Sequence, residues 1–138
     1  MAISDRTRKL LWAKSGNRCA ICKTELLSKK DSEDFNIGEE CHIISAKPNG
    51  PRHKAGFGEY DSVDNLILLC RNHHREIDEL TDSYTEELLR YMKMNHENWV
   101  QKTIKDAIET EKEEAPRFLI RVTSGKELMN ILNEVPHF

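Results

Sequence analysis

Residues 70–78 read CRNHHREID, and the two adjacent histidines in this stretch decide the fold. Neighbouring residues on a helix point about 100° apart, because a turn takes ~3.6 residues. His73 and His74 therefore cannot serve one metal ion from the same side. The step Cys70-x-x-His73 repeats the spacing of Cys19-x-x-Cys22. Each step can form a turn whose two side chains converge on one ion, and together they supply the Cys3His donor set of a tetrahedral zinc site. A redox dithiol at Cys19 and Cys22 would need a thioredoxin-like βαβ setting, which this sequence lacks. His73 completes the zinc set, and His74 is left to face elsewhere.

The 138 residues suit one domain with an appendage, long enough to bury a core. The formal charge of −3 argues against a passive nucleic-acid coat, and leaves room for an enzyme that meets nucleic acid through a local patch. No apolar run is long enough to span a bilayer, and residues 1–20 contain no signal-peptide core. The chain is expected in the cytosol, with no membrane partner. There, four cysteines read as metal ligands or thiols rather than disulfides.

Ser4 or Asp5 can cap a first helix running to Gly16, with Leu10, Leu11 and Ala13 inward. The Cys19 turn follows, and KKDSEDF (29–35) reads as a charged, solvated connection. IGEECHIIS (37–45) is the best strand candidate, and AKPNGPRHKAGFGEYD (46–61) reads as one long surface loop. DNLILLC (64–70) is a short helical turn or a buried segment. A helix is expected from about Asn72 to Leu80. A capping box, Ser83 to Glu86, opens a longer one with Leu88, Leu89, Met92, Trp99, Val100, Ile104 and Ile108 on one stripe, running to about Thr110. EKEEAP (111–116) is a linker, RFLIRVT (117–123) a strand, and KELMNILN (126–133) a final helix capped at Ser124. This gives a main domain over 1–110 and a second βα unit beginning in 111–138. That unit either continues in a longer protein or adds a strand to the main domain.

His42 in ECHII, Asn65 in VDNLILLC and His74 in CRNHHREID, set between the two zinc half-sites, resemble the HNH nuclease family over about residues 17–80. The GPR of NGPRH and the long helix ending HENWV are similar to bacterial and phage proteins of this type. The resemblance implies an α+β fold: a small zinc-stabilised ββα-metal finger with an N-terminal helix and a long C-terminal helix. It implies a metal-dependent endonuclease acting on DNA, without separating DNA from RNA, in a restriction or defence setting. His42 would be the general base, Asn65 would brace the loop that orients it, and His74 would bind the catalytic ion, Mg2+ or Mn2+. One finger cuts one strand, so double-strand cleavage would need a homodimer or two encounters.

Many members carry an aspartate ligand immediately before the base, and here that position is Cys41. A hard ion prefers oxygen. Strand alternation puts Glu40 with His42 and turns Cys41 to the other face as a small buried hydrophobe. Asp78, four residues after His74, could be a second ligand or its hydrogen-bonding partner. Glu40, Cys41 and Asp78 all stay open at this point. Lys47, Arg52, His53 and Lys54 are basic loop residues able to meet phosphates, with a plain solvated loop the competing reading; Lys47, Arg52 and Lys54 are taken as the nucleic-acid contacts. Trp99 reads as core, and His96 and His137 have no partner in sequence. Two other functions fit the same pattern: a zinc-stabilised binding module that does not cut, and the nuclease subunit of a larger sensor–effector protein.

Overall fold

The computed structural model describes residues 2–114. Helix α1 (Asp5–Ser15) starts where Ser4 Oγ accepts the Thr7 N–H at 3.1 Å and stops at Gly16, whose φ of 59° is left-handed. Its inward line is Leu11 and Ser15, whereas Leu10 is 40 % exposed and Ala13 lies at the surface. The expected Leu10–Leu11–Ala13 face is corrected accordingly. Residues four apart share a helical face, and only the Leu11 line meets the core.

Strands β1 (Leu27–Lys30) and β2 (Glu33–Asn36) pair antiparallel across Asp31 and Ser32, with φ of 54° and 67°. Two successive left-handed residues make the tight turn whose twist suits a hairpin. Lys29 faces Asp34 and Lys30 faces Glu33 across the strands. The stretch expected as a charged, solvated connection is solvated, and it folds as a hairpin. Both of its faces are largely exposed, so no apolar alternation marked it in the sequence.

The centre of the fold is β3 (Gly38–His42), β4 (Leu66–Cys70) and α2 (Arg71–Glu79). The strands are antiparallel, with Gly38 opposite Cys70 and His42 opposite Leu66. All five β4 residues are buried, and a three-residue 3-10 turn, Val63–Asn65, precedes them. The LILLC run is thus a strand, not a turn of helix. A short apolar run looks alike in either state, and pairing with β3 decides it. Ile77 of α2 joins Leu11, Leu26, Ile43, Ile44 and β4 in the core. Gly38 makes this packing feasible, because a Cβ there would lie 2.6 Å from the Trp12 ring. The architecture is α+β, as the family resemblance implied.

Helix α3 spans Glu86–Glu114. Thr85 Oγ1 accepts the Leu88 N–H at 3.2 Å, so the cap lies two residues beyond the expected Ser83. Leu89, His96 and Val100 are buried, but Trp99, Ile104 and Ile108 are 42 %, 55 % and 47 % exposed, which shortens the expected apolar stripe. His96 is the unexpected core member. Its Nε2–H donates to the Ser15 carbonyl at 2.8 Å and its Nδ1 accepts from Lys23 Nζ at 2.7 Å, with burial holding its pKa down. Lys23 also lies 4.7 Å from the Trp99 ring centroid, a cation–π contact that clips α3 to the Cys19 turn. The chain groups into two units, Met1–Ile104 and Lys105–Phe138. The strand and helix expected over 117–133 lie outside the described residues.

Candidate metal centre and active site

Residues 19–23 turn back on themselves, with Cys19 N–H donating to the Thr24 carbonyl and Lys23 N–H to the Cys19 carbonyl, at 3.0 and 2.9 Å. The Ala20 N–H reaches the Leu68 carbonyl at 3.0 Å, which fastens this turn to β4. The ligand atoms of Cys19, Cys22, Cys70 and His73 consequently lie within 4.8 Å of one another. Cys22 and Cys70 sulfurs are 3.9 Å apart, and His73 Nδ1 is 3.3 Å from Cys70 Sγ and 3.8 Å from Cys19 Sγ. A tetrahedron with Zn–S bonds of about 2.3 Å has edges of ~3.8 Å, so the donor set fits zinc in both chemistry and spacing. His73 Nε2 faces the Glu76 carboxylate at 3.8 Å, a partner that steadies the ring.

His74 turns away from this cluster. Its Nδ1 lies 2.8 Å from Glu39 Oε1 on β3, and its Nε2 lies 3.0 Å from Asp78 Oδ2 one helical turn on. The Asp78 hydrogen bond, followed by the one to Glu39, outweighs the cost of burial and raises the His74 pKa to about 9. One helix thus presents two adjacent imidazoles to two different sites, as the 100° step requires.

His42 ends β3 and lies on the opposite strand face from Cys41. Its Nε2 is 2.8 Å from Asp61 Oδ1, and both side chains are about one-third exposed, at 33 % and 27 %. Asp61 accepts the Nε2–H, which leaves the Nδ1 lone pair available. His42, Lys47, Tyr60 and Asp61 line a cavity of about 770 Å³. Beneath it, buried Asn65 accepts the Ile44 N–H through Oδ1 at 3.0 Å. Its Nδ2 donates to the carbonyls of Ile44 and Tyr60 at 3.0 and 2.8 Å. Asn65 therefore joins the chain leaving His42 to the chain entering Asp61.

The HNH endonuclease family model matches residues 19–80. This segment is similar to an HNH domain. The match spans the Cys3His donor set, His42, Asn65 and His74 together. No curated protein matches the chain.

Other candidate residues fall differently within this segment. Arg52, expected to face phosphate, is turned inward, with its side chain 6 % exposed. Its guanidinium donates to the carbonyls of Ile43 and Ile77 at 2.7 Å each and to Asp78 at 2.9 Å, with longer contacts to Tyr84 and His42 carbonyls at 3.4 and 3.5 Å. The NGPR turn delivers it there. Ser45 N–H bonds the Pro51 carbonyl at 3.1 Å, and any Cβ on Gly50 would lie 2.0 Å from Ser45 Oγ. Lys47 is exposed at the cavity rim, and Lys54 pairs with Glu86. Glu40 is held by Arg8 and accepts from Trp12 Nε1 at 3.4 Å, away from His74. Cys41 is buried, as its place in the strand alternation implied.

Sequence reasoning passed over Glu39 and Asp61. Glu39 carried a usable signal, since it shares a strand face with Cys41. Asp61 carried none, because it reaches His42 only through the folded loop.

Proposed function

We propose that the HNH-like domain, assigned to residues 1–110, hydrolyses phosphodiester bonds in DNA by a metal-dependent endonuclease reaction. The observation that carries this reading is the His42–Asp61 pair, which lines a cavity of about 770 Å³. A neutral imidazole is a competent base at neutral pH. His42 Nδ1 takes a proton from water as its oxygen attacks phosphorus, and Asp61 steadies the imidazolium that results. Lys47 at the rim supplies positive charge to the substrate backbone. Asn65 holds the two loop ends that carry His42 and Asp61. His74 provides a nitrogen ligand and nearby carboxylates provide oxygen, a donor set compatible with Mg2+ or Mn2+. An ion held there would supply positive charge to the phosphate and to the leaving 3′ oxygen, which takes its proton from solvent to leave 5′-phosphate and 3′-hydroxyl ends.

Cleavage of supercoiled plasmid with Mg2+, with Mn2+ and with chelator tests the reading. Nicking that requires the divalent ion and disappears in His42→Ala is expected. A divalent-independent product, or undiminished cutting by His42→Ala, would overturn it. The cysteine before the base favours one second reading, a zinc-stabilised DNA-binding module that does not cut. That reading predicts DNA retention with no nicking under any ion. A restriction or defence role and a homodimer rest on the resemblance, whereas a cytoplasmic location and a larger sensor–effector protein rest on the sequence pattern. Among the described residues no helix is long and apolar enough to cross a membrane.

A further inference from the structure

Assuming the nuclease reading, we infer that Glu39 is the second protein ligand of the divalent ion at His74, in place of the aspartate that Cys41 replaces. Strand alternation gives Glu39 and Cys41 one face of β3, and gives Glu40 and His42 the other. A cysteine at position 41 removes an oxygen donor from the Glu39 face, and a carboxylate on a longer side chain two residues earlier can reach the same helix. Glu39 does reach it, with Oε1 2.8 Å from His74 Nδ1. Two donors on neighbouring corners of an octahedron of radius ~2.1 Å are ~3.0 Å apart, so this contact already has the spacing of a shared metal edge.

The remaining candidates are committed elsewhere. Glu40 is taken by Arg8 and Trp12. Cys41 is 1 % exposed, and its sulfur donates to the Glu39 carbonyl at 3.3 Å. Asp78 sits on the far ring nitrogen of His74 and is itself gripped by the buried Arg52 guanidinium at 2.9 Å. A metal-binding histidine commonly donates its other N–H to a carboxylate, which fixes both tautomer and ring orientation. Asp78 meets that description as a positioning residue, and it leaves Nδ1 as the coordinating atom, on the side where Glu39 stands. The Glu39 side chain is 41 % exposed, and among the described residues its second oxygen has only Arg71 Nε, at 4.0 Å. The site is thus open for water and a phosphate oxygen to fill the remaining corners.

The test is Mn2+ binding to the zinc-loaded full chain, read by paramagnetic broadening of backbone amide signals, with plasmid nicking measured on the same samples. In the parent, amides around residues 39 and 74 should broaden first. Glu39→Gln should raise the Mn2+ needed for half-broadening by tenfold or more, as His74→Ala should. Glu40→Gln and Cys41→Ala should leave it within twofold of the parent. Zinc content and the amide pattern outside the site confirm that each variant is folded. Unchanged Mn2+ broadening in Glu39→Gln would overturn the assignment. So would a parent whose first-broadened amides lie elsewhere, or an equal loss in Cys41→Ala. A parent that binds Mn2+ at 39 and 74 without nicking would remove the nuclease reading and keep the ligand. A Glu39→Gln variant that still nicks and binds as the parent does would remove the ligand and keep the nuclease.

Discussion

Asp61 Oδ1 lies 2.8 Å from His42 Nε2, although the two stand 19 positions apart in the chain. A carboxylate in that position selects the imidazole tautomer whose Nδ1 can accept a proton. Asp61→Asn keeps the shape but loses the charge that stabilises the imidazolium. Its turnover number on plasmid should fall roughly ten- to a hundredfold with KM little changed, a part of the ~10²–10⁴ that a positioned base contributes. His42→Ala should lose that whole factor while still binding DNA. Parallel kinetics on both variants check this, and parent-like turnover in Asp61→Asn would remove the pair from the mechanism.

The four-residue metal set ties the Cys19 turn to the start of α2. Purified protein should contain about one zinc per chain by elemental analysis. Structural zinc contributes on the order of 10–16 kcal/mol of apparent binding energy in small modules, so strong chelation should unfold the 17–80 region. Retention of the native circular dichroism spectrum after complete zinc removal would contradict this.

His73 and His74 should separate cleanly on substitution. His73→Ala takes one of four ligands from the zinc cluster and should lose both zinc and the native fold. His74→Ala should keep zinc and fold, and lose divalent-dependent nicking. Zinc content and plasmid cleavage, measured for both, give the answer. Equal zinc loss in the two variants would show that the division is wrong.

Arg52 has a left-handed backbone, with φ of 55°, and a buried guanidinium. Arg52→Ala leaves several carbonyl groups and the Asp78 carboxylate without their donor, and should cost roughly 3–5 kcal/mol. Arg52→Lys should recover little of this, because an ammonium cannot reproduce the planar fork. Denaturant unfolding reads the effect. Lys47→Ala should leave stability unchanged and lower the salt dependence of DNA binding by about one phosphate contact. Full stability in Arg52→Ala together with weakened DNA binding would instead make Arg52 a phosphate contact.

The sequence by itself determined what depends on local spacing. The two matched half-sites at Cys19 and Cys70 marked the Cys3His donor set, and the 100° step between His73 and His74 sent the second histidine elsewhere. Strand alternation buried Cys41. Only the tertiary structure decided the rest, because it depends on which distant segments meet. Glu39 and Glu40 are adjacent acids on one strand, and their roles diverge because α2 packs against one face and α1 against the other. Arg52 looked like any basic residue of a polar loop until the Gly50–Pro51 turn aimed it at five inward acceptors. The β1–β2 hairpin left no periodic signal, since neither of its faces is buried. Local periodicity records which face of an element is buried, and only the folded chain determines which partner buries it.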